Sequence, residues 1–302
     1  MSSAEHERIS LIVCTRDRLS KLQLAMQGLL ALRCPVLWQL IVVDNGSRDG
    51  SWEWLKALER PAGLHLDVLQ EARRGISHAR NTGLRRARGE IIAFTDDDCY
   101  PGESLLEELL AAFESGEVDY CGGRILLYDP TELPVSIRTG TSTERLAPHS
   151  FIVPGVISGA NMAFRRSVLE RVGEFDVLLG AGAPTRAGED TDLLFRCAAS
   201  GCTGMYLPAL VVRHHHGRRT AEDRRGIETA YAMGRGAYYV KHACHRSTRM
   251  LMLKNWYWRT SLRTAAGRWR LRQELRGAAV YLWHKHRERP PARLLPPEFA
   301  PP

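Results

Sequence analysis

Three consecutive carboxylates, Asp96, Asp97 and Asp98, follow the apolar run Ile91-Ile92-Ala93-Phe94. That run is too short for a helix and suits a buried strand. Pro101 is expected to stop it, and Ser104-Leu105-Leu106-Glu107 reads as a capping box opening a helix. The carboxylates therefore fall at the carboxyl end of a strand, where open α/β sheets bind ligands. Three adjacent acidic groups repel one another unless a cation joins them. Oxygen ligands suit Mg²⁺ or Mn²⁺, and such an ion usually spends its remaining positions on substrate phosphates. The plainer alternative is a solvated acidic turn.

Two further places carry chemistry. Glu189 and Asp190 open the helical segment TDLLFRCAAS. The positive end of a helix dipole favours an ionised carboxylate there, and such a group stays available as a base. An N-cap that satisfies amide donors is compatible with that role. The run MYLPALVV then ends in Arg213-His214-His215-His216, either a polar loop or a supply of imidazole, which suits Mn²⁺ better than Mg²⁺.

The elements that must position these groups alternate. Ile9 to Cys14 reads as a strand, followed by the polar loop Thr15 to Arg18 and a leucine-patterned helix from Leu19 to Leu32. Leu40 to Val43 is a second strand, ending in a turn-rich segment that begins at Asp44. Ser51 is expected to N-cap the helix after it. A third strand fits Leu64 to Leu69, and Ser77 to Arg86 a helix leading into the Ile91 strand. Continuous apolar strands alternating with helices predict an α/β fold, a mostly parallel sheet covered on both faces. Asp44 and the aspartate triplet then share its carboxyl edge. Tyr128 to Pro154 carries four prolines and little periodicity, which suits a lid or acceptor loop.

TRDR after the first strand, VVDNGSRDGS after the second, ARNTGLRRARGEIIAFTDDD, SGANMAFRRSVLERVGEFD and GEDTDLLFR together resemble the family 2 glycosyltransferases. The resemblance runs from about residue 8 to 216. It implies the Rossmann-like GT-A fold and a donor sugar carried on a nucleotide diphosphate, with uridine as the default base. It implies donor-binding roles for Thr15, Arg18, Asp44, Arg80, Asp96, Asp97 and Asn161. Asp96 and Asp98 become the metal pair, with Asp97 left out of it, and His214 completes the site as Mn²⁺ or Mg²⁺ ligand. Side chains alternate along a strand, so His215 should point away and His216 is second choice. Asp190 matches the catalytic base, with Glu189 and Asp192 behind it. The implied reaction inverts the anomeric centre. The acceptor is a glycan, a lipid-linked oligosaccharide or a small molecule. A sugar-phosphate nucleotidyltransferase is the alternative, although TRDR is not the Gly-rich basic loop expected of one. A glycosidase would leave the triplet with no phosphate to explain it.

The 302 residues are 44% hydrophobic and 25% charged, an ordinary globular composition. The start MSSAEHERIS is polar and unlike a leader, and seven scattered cysteines suit reduced thiols. A cytoplasmic protein is expected. The net charge of +8 is uneven: residues 241–290 hold 13 Lys/Arg against Glu274 and Glu288, which leaves the remainder acidic. That acidity argues against a nucleic-acid groove in the main domain. A boundary is accordingly drawn at residue 240, between a GT-A domain and a basic helical extension (241–302) with a Pro-rich tail. Trp256, Trp258, Trp269 and Trp283 interleave with Arg and Lys there. This suits either peripheral contact with the inner face of the plasma membrane or a helix packed on the domain with a solvated basic face.

Overall fold

The computed structural model describes residues 6–60 and 63–287. The chain opens with β1 (Ile9–Thr15), α1 (Leu19–Leu30), β2 (Trp38–Asp44), α2 (Ser51–Ala57), β3 (His65–Gln70), α3 (Ile76–Arg86) and β4 (Ile91–Asp96). It continues through β5 (Cys99–Pro101), α4 (Leu105–Glu114), β6 (Tyr120–Leu127), β7 (Glu144–Leu146), β8 (Asn161–Arg165), α5 (Arg166–Val172), α6 (Glu189–Ala199) and β9 (Gly204–His214). Three helices follow: α7 (Ala221–Ala243), α8 (Arg249–Arg259) and α9 (Ala265–Arg287).

The first four strands pair in parallel, in the order β3-β2-β1-β4. The apolar runs of β1, β2 and β4 are buried on both faces, while β3, at the edge, is only partly buried. Ile12, Cys14, Ile92 and Phe94 point into one core, Leu11, Val13, Ile91 and Ala93 into the other, the two-residue alternation of a strand. Beyond β4 the sheet is mixed. β8 runs antiparallel to both β4 and β6, while β6 pairs in parallel with β9. The sheet is thus the mixed one of the expected α/β fold, with its parallel pairs among the first four strands and between β6 and β9.

Local signals differ in three places. Ser51 is not the cap of α2: Gly50, at φ +89°, precedes the helix, and Asp49 accepts from both the Ser51 amide (3.1 Å) and hydroxyl (2.6 Å). Ser104 stands at the start of α4 without a side-chain capping bond. Pro101 does not stop the strand before it. The aspartates turn the chain, and Pro101 ends the short strand β5, which pairs antiparallel with β9 at the sheet edge, where a missing N–H is tolerated.

Residue 240, the compositional boundary, lies inside α7. That helix begins where the family pattern fades, with a capping box between Thr220 and Asp223. It crosses α9 at very close range. A Cβ on Gly236 would meet the Glu274 carbonyl oxygen at 1.8 Å, and one on Gly277 the Met233 carbonyl oxygen at 2.0 Å. The helix is also tied to α6. Asp192, fully buried, meets Lys241 Nζ (2.8 Å), His242 Nε2 (2.8 Å) and Arg196 Nε (3.0 Å). None of the described helices is long and apolar enough to cross a membrane. The Pro-rich tail falls outside the described residues.

Burial opposes ionisation of Asp192, but Lys241, Arg196 and His242 outweigh it and hold the carboxyl well below its ordinary range. A depressed folded-state pKa stabilises above the unfolded value and is lost as pH falls below it. Asp192→Asn should therefore cost about 3–5 kcal/mol at neutral pH, as breaking a buried pair does. In urea unfolding the gap to wild type should narrow below about pH 4. An unchanged midpoint at pH 7 would remove Asp192 from the α6–α7 joint.

Candidate active site

The carboxyl edge gathers the predicted groups around a cleft of about 650 Å³. In register, Thr15 of β1 lies beside Asp44 of β2, and Cys14 beside Asp96 of β4. The turn after Asp96 then gives each aspartate a different partner. Asp96 faces Arg80 (3.1 Å). Asp97 accepts from Thr15 Oγ1 (2.7 Å) and Arg18 Nη1 (3.1 Å). Asp98 accepts from the same Arg18 nitrogen (2.7 Å) and lies 3.3 Å from His214 Nε2. Burial, with the Asp98 charge adding to it, pushes Asp97 up to about 6 despite Arg18 and Thr15. Asp98 is equally buried, yet His214 and Arg18 hold it well below the carboxylate range.

His214 reaches Asp98 because β9 is fixed by its neighbours: it sits opposite Cys99 of β5 and Leu127 of β6. Burial opposes a charge on its ring, but the Asp98 carboxylate raises its pKa. His215 points the other way, stacked on Tyr128 (ring centroids 5.0 Å apart). His216 shares the face of His214, but its nitrogens are spent. Nε2 meets the Leu133 carbonyl (3.0 Å), and Nδ1 accepts from the Arg218 amide (2.9 Å). Asp98, His214 and the Cys99 thiol all bring a ligand atom within 4.8 Å of one another. Burial keeps Cys99 protonated, its pKa far above the ordinary thiol value, so it is a weak ligand. One carboxylate oxygen and one imidazole nitrogen, already counterbalanced by Arg18, are a donor set that fits a divalent ion such as Mn²⁺.

Arg80 organises the other side. It is 3% exposed, its Nη1 2.9 Å from Glu189 and its Nη2 3.1 Å from Asp96, and it lies over the Phe175 ring. Gly159 makes room for it: a Cβ there would come within 2.5 Å of Nη2. The glycine needed in SGANMAF thus accommodates an arginine of the chain itself. The Gly159 amide donates to Asp190 Oδ2 (3.1 Å), and Asp190 Oδ1 accepts from the Thr191 amide (2.6 Å). Gly188, at φ +100°, turns the chain into α6 so that Glu189 and Asp190 both face the cleft. Burial, with the Asp190 charge next, pushes Glu189 up to about 7 while Arg80 opposes.

Three expected contacts are not in the cleft. Asp44 is fully buried and accepts from the Gly46 and Ser47 amides (3.2 Å each), so its carboxylate is used by its own turn. The next residue, Asn45, lines the cleft and clamps the loop of Glu71 to Gly75 through its side chain. Asn161 does not line it either. Its amide donates to the carbonyls of Arg124 (3.1 Å) and Leu210 (3.0 Å), where the β6–β9 register shifts. Asp192, the reserve candidate for base, is sealed in the α6–α7 joint. Conversely, α7 was not expected at the site, yet Ile227, Tyr231, Gly234 and Tyr238 line the cleft from one helix face. Their i, i+4, i+7, i+11 spacing was readable as a face but not as this one. The segment from Tyr128 to Pro154 supplies Ser136, Ile137, Arg138 and Pro154 to the wall. It is anchored by β7 and by the Ile125–Arg138 bridge.

The fold is shared with solved glycosyltransferases. A mannosyltransferase from Pyrobaculum calidifontis, in complex with GDP-Man and Mn²⁺, superposes with a TM-score of 0.60 at 19% identity, over 94% of this chain and 81% of that one. TarS of S. aureus, in complex with UDP-GlcNAc, gives 0.56 at 19% identity, over 76% of this chain and 66% of that one. Among sequences, the glycosyltransferase AglE of Haloferax volcanii is 32% identical over 139 residues, 46% of this chain and 45% of that protein. The pre-mycofactocin glycosyltransferase of Mycobacterium tuberculosis is 29% identical over 226 residues, 71% of this chain and 44% of that protein. The chain thus spans less than half the length of these two relatives. The model of the glycosyl transferase family 2 matches residues 10–173, more than half of the chain. The chain belongs to glycosyl transferase family 2.

Proposed function

We propose that the protein transfers a sugar from a nucleotide diphosphate to an acceptor hydroxyl with inversion at the anomeric carbon. Family membership makes it a glycosyltransferase and sets nucleotidyl transfer aside. The observation that carries the finer reading is the unequal use of the carboxylates. Asp97 is spent on Thr15 and Arg18, Glu189 and Asp96 on Arg80, while Asp190 faces the cleft held only by two amides and the Thr191 hydroxyl.

Asp190 acts as general base. It takes the acceptor hydroxyl proton as that oxygen bonds to the anomeric carbon, and the bond from that carbon to the diphosphate breaks on the opposite face. Arg80 keeps Glu189 and Asp96 from repelling Asp190 out of position. Asp98 and His214 would hold a divalent ion, while Asp96, expected beside them, is engaged by Arg80. Such an ion, when bound, supplies positive charge to the leaving diphosphate. One solved relative of this fold binds GDP-Man with Mn²⁺ and another UDP-GlcNAc; a uridine nucleotide is the donor proposed here. The acceptor is a glycan, a lipid-linked oligosaccharide or a small molecule.

Four variants test the reading. Asp190→Asn should cut turnover by about 10²–10⁴-fold, the usual worth of a general base. Binding of UDP with Mn²⁺, followed by calorimetry, should be kept, and turnover near the wild-type rate would refute the assignment. Asp98→Asn and His214→Ala should each abolish the thermal stabilisation given by UDP with Mn²⁺, and full retention in both would exclude this metal site. Gly159→Ala should displace Arg80 and lower turnover about 10²-fold, as a misplacement near 1 Å does. Wild-type kinetics in that variant would show that the close approach is not needed.

A further inference from the structure

α8 shows two unlike faces. Inward, Met252 is buried, and Trp256 stacks on Tyr239 and donates its Nε1–H to Glu274 (2.9 Å). Outward, Met250, Leu253 and Tyr257 follow each other at i, i+3 and i+7, with Trp258 and Leu262 extending the stripe. They are between 44% and 75% exposed. Among the described residues nothing packs over them. From Glu228 to Glu274 the chain carries no acidic residue between the two, but ten Lys/Arg. Lys254 and Arg263 lie beside the stripe, and both are exposed; Arg259, also exposed, sits over the Phe151 ring (5.4 Å).

A soluble helix usually turns such side chains inward, and a continuous exposed apolar stripe marks a contact site. Apolar and aromatic residues bordered by cations match a helix lying in a lipid interface. Trp and Tyr favour the headgroup level, and anionic headgroups attract the arginines and lysines. We infer that α8 seats the protein on an anionic phospholipid surface, with Met250, Leu253, Tyr257 and Trp258 entering the headgroup layer. A second copy of the chain would oppose like charge to like charge. A nucleic acid would stack on the aromatics but has nothing to offer Met250, Leu253 and Leu262. None of these side chains belongs to the cleft, so the inference stands apart from the proposed reaction.

Flotation of the full chain with phosphatidylcholine vesicles, with and without phosphatidylglycerol, is the test. Binding is expected only with phosphatidylglycerol and should fall as salt is raised. The exposed pairs Lys254→Glu/Arg263→Glu and Tyr257→Ser/Trp258→Ser should each weaken it at least tenfold, with thermal stability and donor turnover unchanged. Absence of flotation at low salt would overturn the inference. So would flotation of both variants equal to that of wild type, or a dimer in sedimentation equilibrium that Tyr257→Ser/Trp258→Ser dissociates. Release of the protein from vesicles by single-stranded RNA with no loss of release in the aromatic variant would point to nucleic acid and overturn it as well.

Discussion

The buried guanidinium of Arg80 is the interaction on which the site depends. It joins the end of β4, through Asp96, to the start of α6, through Glu189. A charge taken from water is costly unless its hydrogen bonds are met. Here two carboxylates and the face of Phe175 meet it. The dependence is mutual. Without the arginine, Asp96, Glu189 and Asp190 would face one another with no cation between them. The chain makes space for this contact with a glycine at 159, whose amide also holds Asp190. One residue thus sets both the seat of the cation and the position of the proposed base.

The aspartate triplet shows how neighbours in sequence take different roles. Identical side chains separate chemically because the turn points them at different partners. Asp97 is driven toward its neutral form, with Thr15 and Arg18 as its partners, while Asp98 is kept ionised beside His214. Ionised Asp98 is the form suited to the proposed cation, so this division singles out one carboxylate of the triplet, beside His214, over a diffuse acidic patch.

The helices after residue 220 complete the cleft. Asp192 and its cations fix α7 to α6, three residues beyond Glu189. Asp176 adds a second tie, to Lys241 (2.7 Å) and to the Tyr281 hydroxyl of α9 (2.9 Å). The glycine crossing of α7 and α9 brings two long helices into one slab. One side of that slab lines the cleft with Tyr231 and Tyr238, and α8 carries its apolar stripe on the outside.

Much of this was legible in the residues alone. The continuous apolar runs at Ile9, Leu40 and Ile91 determined three strands of the parallel half of the sheet, because a strand buried on both faces has no polar alternation to keep, while the edge strand at Leu64 carries His65 and Asp67. The order of the strands then put Asp96 to Asp98 at the carboxyl edge. Alternation along β9 separated His215 from His214. Pairing decided the rest. Asp44 and Asn161 carry the right chemistry for a ligand, but a turn and a strand irregularity nearby had amides and carbonyls to satisfy, and those claims came first. Asp192 matches Asp190 in type and lies two residues on, but that spacing turns it to another side of α6, where the packing of α7 buried it. Cys99 joined Asp98 and His214 only because β5 folded back on β9. Composition placed the boundary at residue 240, whereas α7 runs through it, since charge reports on a segment's surroundings and not on where a helix ends. Short-range pattern determined which elements form; which polar groups remain free for chemistry was decided by long-range packing, because only the folded chain shows which donors and acceptors are already taken.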